Sequence, residues 1–186
     1  VFNHADRTIL GLIRARGETV TPPSENESKQ LSLLRALLAL CEQHGVSLHL
    51  YIHPYHARLF AMLEASALWD DYERWKRQLV DVVAASPGPG EIWDFGVHHP
   101  MTTEPVDPAS GSTRAITYFW ESGHYRKSLG DAIVQTLLAD DEPVAGQLGR
   151  PLRPETVEAA LAAARQARDA FSRARPELSD YMGQLT

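Results

Sequence analysis

Apolar residues recur along the chain first at helical spacing and then in short runs that read as strands. Leu31, Leu34, Leu37, Leu38 and Cys41 mark one face of an amphipathic helix that follows the polar loop Thr21-Pro22-Pro23-Ser24-Glu25-Asn26-Glu27 and stops near Gly45. Val46-Ser47-Leu48-His49-Leu50-Tyr51-Ile52 reads as a strand ended by His53-Pro54. From Tyr55 to Ala84 the helical pattern returns. A break is expected near Ser66-Ala67-Leu68, because Asp70 and Asp71 suit the first turn of a new helix, where carboxylates meet the positive end of the helix dipole. Pro87-Gly88-Pro89-Gly90 is a turn, Glu91-Ile92-Trp93-Asp94-Phe95 a short strand, and His98 to Thr113 an irregular loop. Ala115-Ile116-Thr117-Tyr118-Phe119-Trp120 reads as a buried strand, and Leu129, Ile133 and Leu137 place a helix over Arg126 to Leu138. Strands alternating with helices predict an α/β fold with a mostly parallel sheet and right-handed crossovers.

The end of the chain differs in kind. Pro154 to Arg175 is Ala-rich, with Val157, Leu161, Ala164, Arg168 and Phe171 forming a narrow stripe. Ala favours the helix but leaves little apolar surface with which to grip a core. Two readings follow, a helix laid across the domain surface and a contact helix for self-association. The expected organisation is an α/β domain over 1–150 and a helical extension over 151–186.

Composition narrows the classes. At 186 residues and 44% hydrophobic content the chain buries one good core. A net charge of -6 with interleaved signs argues against nucleic acid as a partner. No segment approaches the roughly 18 uninterrupted apolar residues of a membrane span, and the start lacks the basic and apolar regions of a leader. The chain begins at Val1, and the expectation is the C-terminal part of a longer protein or a processed product. Cys41 is the single cysteine, so no internal disulfide forms and Cys-x-x-Cys metal sites are excluded. No cofactor is expected.

The chemistry concentrates in Glu121-Ser122-Gly123-His124-Tyr125. A carboxylate three residues before a histidine, where a strand hands over to a helix, is the arrangement a serine hydrolase needs for its base. Strand ends are also where open α/β sheets bind ligands. The block Trp120 to Asp131 resembles the last conserved block of the SGNH (GDSL-like) hydrolase superfamily, in the branch found in bacterial cell-envelope proteins. The likeness extends more loosely to the strand ending in His53-Pro54, to Trp69 through Lys76 and to Trp93-Asp94-Phe95. It implies a flavodoxin-like fold flanked by helices, with His124 as base and Glu121 in the place of the usual Asp. It also implies ester hydrolysis or acyl transfer on an acylated glycan or small ester, in the periplasm or cell envelope. The superfamily's nucleophile lies in a Gly-Asp-Ser or Gly-Ser-Ser segment after the first strand, and none precedes Val46 here. Ser24, Ser28 and Ser32 stand in a polar loop and on a helix.

Other residues remain open between two roles. His53, His56, Asp94 and Tyr125 are candidates for binding substrate, with Asp94 the reserve acid. Equally, the histidines bond neighbouring backbone and Asp94 accepts turn hydrogen bonds. His53, His56, His98 and His99 with Asp94 and Glu121 offer nitrogen and oxygen donors, but their spacing matches no helix-borne zinc motif, so no metal is assigned. Trp69, Tyr72 and Trp75 face one side of a helix and read as core. An enzyme of SGNH type and a non-catalytic domain of the same fold that binds a glycan or a partner protein are the two functions carried forward.

Overall fold

Two short strands and the pair of helices between them form the centre of the molecule. The computed structural model describes residues 2–16, 29–88, 92–106, 116–139 and 146–185. The elements are α1 (Phe2–Arg16), α2 (Lys29–Gln43), β1 (Tyr51–Ile52), α3 (Ala57–Ala65), α4 (Trp69–Ala84), β2 (Ile92–Asp94), β3 (Phe119–Glu121), β4 (His124–Tyr125), α5 (Lys127–Leu137), β5 (Arg150–Leu152), α6 (Val157–Ala174) and α7 (Pro176–Leu185). The fold is mixed α/β, with far more helix than strand.

The break between α3 and α4 falls where the pattern predicts it. Ala67 takes a φ of 55°, and the amides of Ser66, Ala67 and Leu68 donate back to Met62, Glu64 and Leu63 carbonyls, which closes α3. A non-glycine residue in the left-handed region cannot continue a helix. The helix α4 then restarts with Asp70 and Asp71 in its first turn.

The sheet is smaller and more mixed than the alternation of elements suggests. Its order is β1-β2-β5, with β1 parallel to β2 and β5 antiparallel to β2. Of the expected strand Val46 to Ile52, Tyr51 and Ile52 are the residues that pair, opposite Trp93 and Asp94. Gly149 lets β5 approach: its φ is 76°, and a Cβ there would stand 2.5 Å from the Phe95 ring. The boundary expected between 150 and 151 falls inside β5. The run from Ala115 yields β3 at its end, and β3 turns back on β4 as a separate antiparallel hairpin. Ser122-Gly123 makes the turn, so the acid and the histidine lie on facing strands rather than at a strand-to-helix crossover.

Three apolar clusters hold these elements. Leu38, Ile52, Val80, Ile92, Leu152 and Leu161 join α2, α4, the sheet and α6. Leu10, Phe60, Met62, Trp69 and Met182 join α1, α3, α4 and α7. Phe2, Phe95, Phe119, Leu129 and Ile133 pack beneath the hairpin. The tail therefore grips the core more firmly than its composition implies. Alanines keep α6 slim enough for Leu161 to reach the sheet cluster, and Arg165 and Glu158 pair with Glu73 and Arg77 of α4. Met182 of α7 is 1% exposed. No helix among the described residues is long and apolar enough to cross a membrane.

Candidate functional site

Glu104 builds the approach to the hairpin. Its carboxylate accepts the backbone N–H groups of Thr117 at 2.7 Å, Tyr118 at 2.7 Å and Phe119 at 3.1 Å, standing in for a neighbouring strand at the start of β3. Its carbonyl accepts a hydrogen bond from His56 Nε2 at 2.9 Å. That bond leaves Nδ1 of His56 as an acceptor for the amide of Arg58 at 3.2 Å, which caps α3. The ring lies edge-on to Phe2 and Phe119. Burial lowers the pKa of His56 to about 4, against the Glu104 hydrogen bond, with the Arg58 charge helping to depress it.

The turn is fastened by α1. Ser122 is fully buried and its hydroxyl donates to Asp6 Oδ1 at 2.5 Å. The other oxygen of Asp6 takes Arg58 Nε at 2.9 Å and Nη2 at 2.6 Å, and Arg58 also donates to Asn3 Oδ1 at 2.9 Å. The Ser122 carbonyl accepts the amide of His56 at 3.1 Å. Helix α1 and the start of α3 thus converge on one buried serine, which acts as an anchor.

Above that anchor Glu121 and His124 meet. Glu121 Oε1 accepts a hydrogen bond from Nδ1 of His124, and Oε2 accepts the Gly123 amide at 2.9 Å. The carboxylate is held from two directions and is 15% exposed, whereas the imidazole is 82% exposed. With the Nδ1 proton directed at Glu121, Nε2 is the nitrogen that presents a lone pair to the surface. A ring oriented by an acid on one nitrogen and bare on the other is equipped to take a proton, and the carboxylate stabilises the imidazolium that results.

Beside the pair stands an aromatic wall. His53 lies 4.9 Å, centroid to centroid, from both Tyr55 and Tyr125, and its Nε2 bonds the Gly123 carbonyl at 3.0 Å. Burial lowers its pKa, opposed by the Gly123 hydrogen bond, with smaller contributions from His124 and Glu121. The Tyr125 hydroxyl faces that of Tyr51 at 3.3 Å; this bond, more than burial, raises its pKa to about 12. Trp120 is exposed, with Arg126 over its ring at 4.1 Å.

The structure thus brings four of the six candidate residues together, Glu121, His124, His53 and Tyr125, and removes two. His56 is buried and occupied on both nitrogens, and the cavity it lines is walled by Arg58, Glu104, Val106, Phe171 and Tyr181, without Glu121 or His124. Asp94, the reserve acid, is 2% exposed, pairs with Lys76 Nζ at 2.6 Å and accepts the Gly96 amide at 2.9 Å. The ammonium from α4 and the turn amide satisfy it, and it serves the fold. Ser128 donates to the Thr117 carbonyl at 2.6 Å, and among the described residues Glu121 is the one hydrogen-bond partner of the His124 ring. Ser24, Ser28, Ser110 and Ser112 lie outside the described residues. Among the described residues no group of three or more His, Cys, Asp or Glu side chains is placed to hold a metal ion.

Asp6, Arg58 and Glu104, which hold the site in shape, carried no signal in the sequence. Their partners lie from 13 to 116 residues away, beyond any local spacing rule. Comparison with protein-family models, with curated proteins and with solved structures finds no match for this chain.

Proposed function

We propose that this chain carries the general base of an ester-hydrolysing or acyl-transferring enzyme of SGNH type. His124 removes the proton from an attacking hydroxyl through Nε2, and Glu121 orients the ring and balances its charge. One observation carries the reading: the Glu121 carboxylate, itself tied to the Gly123 amide, bonds Nδ1 of a surface imidazole. The finer fold assignment, a flavodoxin-like sheet, is supported by the parallel pair β1–β2 joined through α3 and α4, a βαβ unit. The substrate class that fits the resemblance is an acylated glycan or small acyl ester of the cell envelope. The serine that would complete the machinery is not found beside His124 among the described residues, so residues 1–186 alone are expected to turn over slowly.

The test is hydrolysis of a chromogenic acetyl ester by wild type, His124→Ala and Glu121→Gln. The slow turnover expected of this chain, with water or a serine outside the described residues as nucleophile, runs through His124, and loss of the base lowers it by about 10²-fold. Turnover that survives His124→Ala intact refutes the reading. A second reading, a non-catalytic glycan-binding domain, draws support from Trp120 next to Glu121, which is 55% exposed with Arg126 over its ring and so keeps indole surface for a sugar ring. Quenching of tryptophan fluorescence by an acetylated oligosaccharide, lost in Trp120→Ala and with no ester turned over, would favour it.

A further inference from the structure

We propose that His53 is a positioning residue for the Glu121–His124 pair: its Nε2–H holds the Gly123 carbonyl, and with it the two-residue turn that sets carboxylate and imidazole face to face. The inference rests on the functional reading above and extends it to a residue outside the Glu-x-x-His block.

A carbonyl oxygen only accepts, so Nε2 of His53 carries the proton in the 3.0 Å bond to Gly123. The peptide groups of the turn are gripped at successive points. The Ser122 carbonyl takes the His56 amide, the Ser122 hydroxyl reaches Asp6, the Gly123 amide reaches Glu121, and the Gly123 carbonyl reaches His53. The first two bonds anchor Ser122, on the buried side. The bond from His53 acts on the residue directly before His124, where no other group among the described residues holds the carbonyl. Small rotations of this peptide would swing the imidazole away from Glu121, since the pair is separated by the turn alone.

His53 is itself immobilised. It follows β1 directly, and its ring is set between Tyr55 and Tyr125, the second of which is tied to Tyr51 of β1. The groups that face it are Tyr55 and Tyr125, with Glu121, Gly123 and His124 of the hairpin. Burial favours its neutral form, so it donates one hydrogen bond without setting a second positive charge beside His124 when His124 takes a proton.

The experiment reads the tautomer of His124 by long-range nitrogen–proton correlation of its imidazole in the full 186-residue chain at neutral pH, with thermal melting of each variant alongside. Wild type is expected to show His124 protonated at Nδ1, the nitrogen bonded to Glu121. His53→Phe keeps a ring between Tyr55 and Tyr125 but has no donor, and is expected to shift His124 to a mixture rich in the Nε2–H form. His53→Gln keeps an N–H donor and is expected to preserve the wild-type signature. A folded His53→Phe protein with the wild-type pattern overturns the proposal; so does a folded His53→Gln protein that loses it, which decides the matter if His53→Phe does not fold. A wild-type His124 without the Nδ1 proton overturns the proposal together with the pair it depends on. Tautomers as expected with ester turnover indifferent to His124→Ala leave the role of His53 supported and refute the catalytic reading alone.

Discussion

Replacing Asp6 by Ala removes the acceptor on which α1, α3 and the β3–β4 turn converge. Arg58, whose side chain is 4% exposed, would keep the acceptor of Asn3 but lose the carboxylate that takes both Nε and Nη2, and the buried Ser122 hydroxyl would lose the carboxylate it donates to. Breaking one half of a buried ion pair costs about 3–5 kcal/mol, because the surviving charge stays out of water without compensation. Against a total stability of roughly 5–15 kcal/mol that is a large share. For a chain of this size it corresponds to a fall in melting temperature of roughly 6–20 °C. Urea denaturation of wild type, Asp6→Ala and the double variant Asp6→Ala/Arg58→Met supplies the measurement. The double variant is expected to recover part of the loss, since removing both charges ends the uncompensated burial. A single-variant loss below about 1 kcal/mol, on the scale of an exposed ion pair, would refute the argument that this carboxylate is a structural hub.

Stability should also depend on two histidines, His56 buried and His98 half-buried. His56 and His98 have their pKa values lowered from 6.5 to about 4, chiefly by burial, so the unfolded chain takes up both protons before the folded one does. Their stabilising contribution is complete above pH 6.5 and is lost as the pH falls from 6.5 to 4, by about 3 kcal/mol for each ring; melting temperatures that stay level from pH 7 to pH 4 would contradict this. Met182→Ala, in the apolar contact between α7 and α3, should cost about 2–4 kcal/mol in chemical denaturation. A cost near zero would show that the tail lies loosely on the surface after all.

The helices were the legible part of this fold, because their information is local. The restart at Asp70 and the run from Leu129 to Ile133 appear as read, and of the face marked by Leu31, Leu34, Leu37, Leu38 and Cys41 the structure buries Leu31 and Leu38, half-buries Leu34 and Cys41 and leaves Leu37 exposed. The strands were less so, since an apolar run says that a segment is buried and not how many of its residues find a partner. Val46 to Leu50 and the run up to Tyr118 therefore read as strand, while among the described residues the paired strands start at Tyr51 and Phe119. Helix α1 leaves no such signature: Phe2 and Leu10 are deeply buried, but too few large residues lie between them to make a pattern. The Ser122-Gly123 dipeptide carried the signal for a hairpin, overshadowed by the helix that follows it so closely. At the site the Glu-x-x-His spacing correctly brought two side chains together. Asp94 could not be told from a catalytic acid, because its neutralising partner Lys76 sits 18 residues away on another element.

The bond between Ser122 and Asp6 also has a kinetic meaning, since it closes a loop of 116 residues. Contacts within helices form early because few residues must be ordered to make them, whereas a closure this long waits for most of the chain to be in place. The surroundings of His124 should accordingly mature late in refolding, after the helical circular dichroism has returned. A proton signal from its imidazole would then report completion of the fold, and a chain stalled halfway would carry nearly all of its helix with none of its base.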